Sequence, residues 1–226
     1  MKEIICGKEV EVARKNNKNI IIKIDGCGNI RMTVPYRSSM EKARKFFALK
    51  SDWIEARLKK AVLNEPINID SGEIIYIFGE GKRIVLTDES ISAEIYGKDL
   101  IISSYGDREK TLRKILVDKL SAEASKYFDM WQERTGLKAT SVSIRRTETR
   151  WGSCNHYTHR INLSLYLVNL PKECLSYVVL HELGHILYDN HGKEFKAFLD
   201  KNMQNWREVR KFMKENGERY KIKIKN

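Results

Sequence analysis

The sequence predicts an α+β protein in two parts: a β-rich N-terminal part, residues 1–105, with an antiparallel sheet and one helix, and a C-terminal part, residues 106–226, of helices around a small sheet. Short Ile-, Val- and Tyr-containing runs separated by turn-prone Gly and Asp fill much of the first half. Longer runs with apolar residues three and four apart dominate the second. No internal repeat, low-complexity segment or Pro/Gly-rich linker is legible, so the boundary is placed at the turn-prone Tyr105-Gly106, and the two parts are free to pack as one unit.

Along the chain, Ile20–Asp25 and Ile30–Val34 read as strands flanking a hairpin turn at Gly26-Cys27-Gly28-Asn29. Met40–Leu63 carries Met40, Ala43, Phe47, Ile54, Leu58 and Ala61 near helical spacing and reads as one helix. Four short strands follow at Glu73–Gly79, Arg83–Thr87, Ile91–Tyr96 and Leu100–Ser103, expected in a twisted, partly curled antiparallel sheet. A long helix over Asp107–Arg134 has the stripe Leu112, Ile115, Leu116, Leu120, Ala124, Tyr127 and Trp131, and Gly136 ends it. Strands are expected near Ala139–Ile144 and His159–Leu163. An apolar helix begins at Pro171, a residue suited to a helix start, with Glu173 in its first turn. Two further helices are expected at Glu194–Leu199 and Trp206–Asn216.

Composition sets the outer limits. A chain of 226 residues, 42% hydrophobic and 32% charged, can bury one good core or two modest ones and reads as soluble and globular. No apolar run approaches the ~18 residues that a membrane span needs, and Met1–Lys8 lacks the hydrophobic stretch of a signal peptide. Cys6, Cys27, Cys154 and Cys174 are widely spaced with no CxxC pair, which excludes a disulfide framework or zinc ribbon and leads us to expect a reducing cytoplasm. The net charge of +12 favours polyanions, including nucleic acid, as partners. The excess concentrates at Arg207, Arg210, Lys211, Lys214, Arg219, Lys221, Lys223 and Lys225. This run reads first as a solvated helix face and then as a tail whose alternating Lys221–Lys225 suits an edge strand.

The chemistry is carried by His181-Glu182-Leu183-Gly184-His185, an HExxH motif, with His191 six residues further on. Three of the five histidines of the chain fall in this window. Positions i and i+4 share a helix face, so His181 and His185 can aim at one metal ion, and Glu182 can reach a water there without being a ligand. A catalytic zinc site usually needs a third protein ligand. The helix cannot supply it by simple continuation, so a helix end at Tyr188-Asp189-Asn190 is expected to return His191 to the site. One Zn²⁺ per chain is the expected cofactor; nickel, cobalt and iron also suit histidine ligands. Asp189 and Glu194 are candidates to orient a ligand histidine, Glu194 also being an alternative ligand. His156 and His159 read first as residues of a surface hairpin and Tyr188 as a packed helix end, each with donation to a developing oxyanion as the alternative. Ser153 and Cys154 have no readable catalytic partner.

Upstream lies Arg150-Trp151-Gly152-Ser153-Cys154, then Asn162-Leu163, Pro171, the HELGH segment and Asn190-His191. Together these residues resemble the YgjP-like metallopeptidase family, related to SprT-like and other zincin-type zinc peptidases. Gly28–Pro35, Lys50–Ile54 and Ile77-Phe78-Gly79 extend the likeness into the first half. The resemblance implies a zincin-like core of helices and a small sheet, and a zinc-dependent hydrolase acting on peptides or proteins. It implies His181, His185 and His191 as metal ligands and Glu182 as general base. Gly184, Gly192 and Lys196 depart from residues frequent in the family. The Trp151 box reads either as packing or as a cleft edge on which an extended substrate adds as a strand. Rival readings are a metal-dependent nucleotide or phosphoanhydride hydrolase, a nucleic-acid-associated protein and a structural zinc protein.

Overall fold

A computed structural model describes residues 2–24, 28–62, 69–89 and 93–220, and the chain forms two packed units, 1–66 and 67–226. The first unit holds strands β1 (Lys2–Ile5), β2 (Lys8–Lys15), β3 (Ile21–Ile24) and β4 (Ile30–Pro35), then helices α1 (Met40–Leu49) and α2 (Ser51–Val62). Its sheet runs β1-β2-β4-β3, with β2 and β4 parallel and the outer pairs antiparallel. No strand before Ile20 is legible in the sequence. The signal in Lys8–Lys15 is weak because only Val10 and Val12 of its eight residues are buried. The single helix expected over Met40–Leu63 breaks at Lys50 (φ −103°, ψ 10°), and Ser51-Asp52 starts a new one. Ser39 caps α1 by accepting the Lys42 N–H at 3.2 Å. Gly26-Cys27, Leu63, Ile91 and the Lys221–Lys225 tail lie outside the described residues.

The second unit begins with β5 (Ile74–Ile77), β6 (Glu80–Thr87), β7 (Ala93–Tyr96) and β8 (Asp99–Ser103) in the order β5-β6-β8-β7. This is the topology of the first sheet over again. The central pair β6/β8 is parallel, where an all-antiparallel sheet was expected, and the outer pairs are antiparallel. Even the first turn repeats: Cys6-Gly7 (φ 50°, 75°) and Phe78-Gly79 (φ 51°, 81°) are both left-handed, the conformation that a two-residue hairpin favours. The repeat is not legible in the sequence because alternating burial marks the buried face of a strand and not the neighbour it pairs with.

Next come α3 (Arg108–Thr135), strands β9 (Ser141–Arg145), β10 (Gly152–Asn155) and β11 (Arg160–Ser164), a 3-10 turn at Leu165–Asn169, and helices α4 (Lys172–Gly184), α5 (Lys193–Asn202) and α6 (Trp206–Tyr220). The small sheet runs β10-β11-β9, with β9 parallel to β11. One core joins Ile75, Ile84, Leu100 and Ile102 of the larger sheet to Leu112, Leu116 and Leu120 of α3 and to Leu175 and Val179 of α4. This core crosses Tyr105-Gly106, so the break in packing falls near residue 66, earlier than the sequence placed it.

Helix α3 is fixed at both ends. Asp107 accepts the Lys110 N–H at 2.9 Å, and Gly136 (φ 75°) takes the left-handed cap. Its inner stripe is Leu112, Leu116, Leu120, Ala124, Phe128 and Trp131. At the end of the stripe the Trp131 indole donates to Ser176 Oγ at 3.0 Å, a buried bond that ties α3 to α4. Ser176→Ala leaves that N–H without a partner, so chemical denaturation is expected to show a loss of about 1–3 kcal/mol.

Candidate metal centre

Helix α4 is buried from Cys174 to Leu180, as its nearly continuous apolar sequence requires. Its regular bonding ends at Gly184, short of the expected end at Tyr188–Asn190. The chain tightens without unwinding: the His185 N–H donates to the carbonyls of His181 (3.3 Å) and Glu182 (3.2 Å), and the Tyr188 N–H to Gly184 at 3.0 Å. His185 therefore stays one turn beyond His181. A Cβ on Gly184 would lie 2.9 Å from Phe198 and 3.0 Å from Phe195, so glycine here allows α5 to pack directly on the motif. Asn190 Oδ1 accepts the Gly192 N–H at 2.9 Å, closing the turn that returns His191.

The structure brings His181, His185 and His191 together, with one ring nitrogen from each lying within 4.8 Å of the others. His181 Nε2 and His191 Nε2 are 3.0 Å apart. Two imidazole nitrogens at that distance need a shared proton or a cation between them. Ligands of a tetrahedral zinc at about 2.0–2.1 Å lie roughly 3.3 Å apart, so the spacing suits one. The outer nitrogens are also engaged. His185 Nδ1 lies 2.8 Å from the Tyr188 carbonyl, which can only accept, so Nδ1 donates there and Nε2 is the nitrogen left for a metal. His181 Nδ1 lies 3.3 Å from the Tyr177 hydroxyl. Burial pushes His181 down to about 3, with His185 and His191 adding to the effect. His191 is lowered for the same reasons, and Arg210 and Lys196 contribute. Neutral imidazole is the form a metal requires. Three ring nitrogens this close together are a donor set that fits a zinc ion.

Glu182 is 5% exposed and borders, with His181, a cavity of about 300 Å³. Burial pushes its carboxyl up to about 8, against the opposing pull of Arg150 and of a backbone hydrogen bond from Cys154. Gly152 is packed against it: a Cβ there would lie 2.6 Å from Glu182 Oε1 and 2.8 Å from Cγ. The carboxyl group is thus held between the first residues of β10.

A set of local bonds places β10. Ser164 donates its N–H to the Trp151 carbonyl (2.8 Å) and its hydroxyl to the Thr147 carbonyl (2.8 Å), and the Thr147 hydroxyl donates to the Arg150 carbonyl (3.2 Å). Asn162 bridges the small sheet, accepting from Ser143 at 2.6 Å and donating to Ser153 at 3.3 Å. Trp151 lies against α6 so closely that a Cβ on Gly217 would sit 2.6 Å from its ring.

Other sequence candidates fall outside the cluster. His156 Nδ1 lies 3.1 Å from the His185 carbonyl and 3.3 Å from Asp189, so it braces the loop and is more than a surface residue. Asp189 thus engages His156, whereas a ligand histidine was the expected partner. Glu194 is exposed in the first turn of α5. Tyr188 packs on Phe195 and Phe198, as expected of a helix-end tyrosine. The Cys154 thiol is pushed up to about 11 by burial and by Glu182, so it keeps its proton at neutral pH. Sequence reasoning missed Gly152 as the neighbour of Glu182, and Tyr177, Arg210 and Lys214 as cavity residues. Of these only Tyr177, four residues before His181 on one helix face, left a local signal.

The family model described as YgjP-like, metallopeptidase domain, matches residues 18–216. No curated protein matches the chain. Among solved structures, the metallopeptidase zymogen of Pyrococcus abyssi abylysin is 19% identical, with 41% of this chain and 93% of that chain covered and a TM-score of 0.37. The metallopeptidase zymogen of Methanocaldococcus jannaschii jannalysin is 22% identical, with 42% and 94% covered and a TM-score of 0.36.

Proposed function

The chain belongs to the YgjP-like metallopeptidase family, and from that premise we propose a zinc-dependent peptidase in which His181, His185 and His191 hold one zinc ion per chain and Glu182 is the general base. The observation that carries this reading is the convergence of three imidazole nitrogens beside a buried carboxyl group. A bound zinc ion supplies a Lewis acid that polarises a peptide carbonyl and acidifies water. Glu182 takes the proton of the attacking water and passes it to the leaving amine. Gly152 and the Cys154 N–H keep the carboxylate in place for both transfers. The Tyr188 carbonyl fixes the His185 ring, and Tyr177 sets the outer side of His181. Strand β10 is an outer strand of its sheet, where an extended peptide can add as a further strand.

No helix among the described residues is long and apolar enough to cross a membrane. The thiols of Cys6, Cys154 and Cys174 are free, which suits the reducing cytoplasm we assign.

The test is cleavage of a mixed peptide library by zinc-loaded protein, read by mass spectrometry. Peptide cleavage is expected to stop with a zinc chelator and to return when zinc is restored. Hydrolysis of nucleoside triphosphates with every peptide left intact would replace this reading with the phosphoanhydride one.

A further inference from the structure

Arg210 and Lys214 lie one turn apart on α6, and both line the cavity beside His181 and Glu182. Arg150, from the Trp151 box, lines it too. Among the described residues, none of these three side chains has a hydrogen-bond or ion-pair partner. Arg207, on the same helix, is different: it is paired with Asp200 and lies over the Trp206 ring. Unpaired cations beside a set of ligands for a dication repel that dication. An anion seated among them removes the conflict.

The rest of the lining narrows the choice of anion. Trp151, Val178 and Met213 supply apolar wall. A volume of about 300 Å³ admits one side chain or one chain end, and it is too small for a polymer backbone with its bases. Apolar wall with cations suits a carboxylate on a short methylene stem. A bare polyphosphate would leave that wall uncovered.

We propose that this cavity is a carboxylate subsite, selecting peptides with a carboxylate next to the bond that is cleaved. The inference rests on the peptidase reading for the bond cleaved but not for the binding event itself. The carboxylate comes from an acidic side chain or from the C-terminus of the substrate. Either would be drawn in over a wider basic trough, which shares Arg210 and Lys214 and continues to Lys196 and Lys211, with Glu215 its one acidic lining residue among the described residues.

The experiment uses fluorescein-labelled peptides of one length with Glu, Gln or Lys at a single position, each as C-terminal acid and C-terminal amide. Binding to the zinc-loaded protein is read by anisotropy and cleavage by mass spectrometry. We expect the wild type to favour a carboxylate roughly five- to tenfold in Kd and in kcat/KM, the size of a partly exposed charge contact. A Glu preference that survives amidation assigns the side chain as source; a preference for acid over amide, whatever the residue, assigns the chain end. Arg210→Gln with Lys214→Gln should level the preference, and Arg210→Glu with Lys214→Glu should turn it toward Lys. Both residues are exposed, so melting temperatures should stay near that of the wild type. Equal binding of all peptides by the wild type overturns the proposal. So does a preference that survives both double variants. Tighter capture of a nucleoside triphosphate or single-stranded oligonucleotide, lost in the same variants, would show that the cations serve phosphate. Cleavage without preference removes the subsite and leaves the peptidase; charge-selective binding without cleavage does the reverse.

Discussion

Glu182→Gln should bind zinc as the wild type does and lose peptide hydrolysis by roughly 10²–10⁴-fold, the share of rate that a positioned general base supplies. Glutamine preserves the shape that fits against Gly152 and the hydrogen-bond acceptor that meets the Cys154 N–H, but its amide cannot take a proton from water. The loss should fall on kcat, with KM little changed, because Glu182 acts in the transition state and not in holding the peptide. Metal content measured on the same sample separates this outcome from loss of the site. Full activity in Glu182→Gln would remove the residue from the mechanism, whatever its burial.

Gly152→Ala is expected to lower kcat by about 10²-fold while leaving zinc stoichiometry unchanged. The added methyl would fall 2.6 Å from Glu182 Oε1, 2.8 Å from Cγ and 2.9 Å from Cδ. Contact with Cγ means that rotating the carboxylate tip alone does not relieve the overlap. Either the Glu182 side chain moves or β10 retreats from α4, and a misplacement near 1 Å at a catalytic group costs on this scale. Overpacking should also lower stability by about 1–3 kcal/mol, visible in denaturant titration. Wild-type kcat in this variant would show that the base tolerates displacement and that the close fit has no catalytic role. The three atoms nearest the added methyl all belong to Glu182, so zinc loss here would contradict the account given for the variant.

 His181, Glu182, His185 and His191 lie within eleven residues, so helical spacing and one turn are enough to bring them together. Most of the α3 stripe was readable for the same reason, its contacts repeating every three and four residues along one helix, although Phe128 joins it and Ile115 and Tyr127 are only partly buried. Gly152 and Arg210 reach the cavity from distant parts of the chain, and no local period marks them. Sheet pairing was hidden in the same way. A strand's alternation tells which face is buried but not which neighbour it joins, so the parallel pairs β2/β4 and β6/β8 could not be read. The early end of α4 depends on Phe195 and Phe198 packing at Gly184, a contact made only once α5 has folded back.

The most direct test of the central claim is the zinc content of purified wild-type protein beside His191→Ala, measured by elemental analysis after equal exposure to zinc and exhaustive dialysis. One zinc per chain in the wild type and much less than one in the variant is the predicted result, because two histidines alone make a weak site. Wild-type protein that retains no zinc, or His191→Ala that retains a full equivalent, would contradict the three-histidine centre on which the proposed chemistry depends.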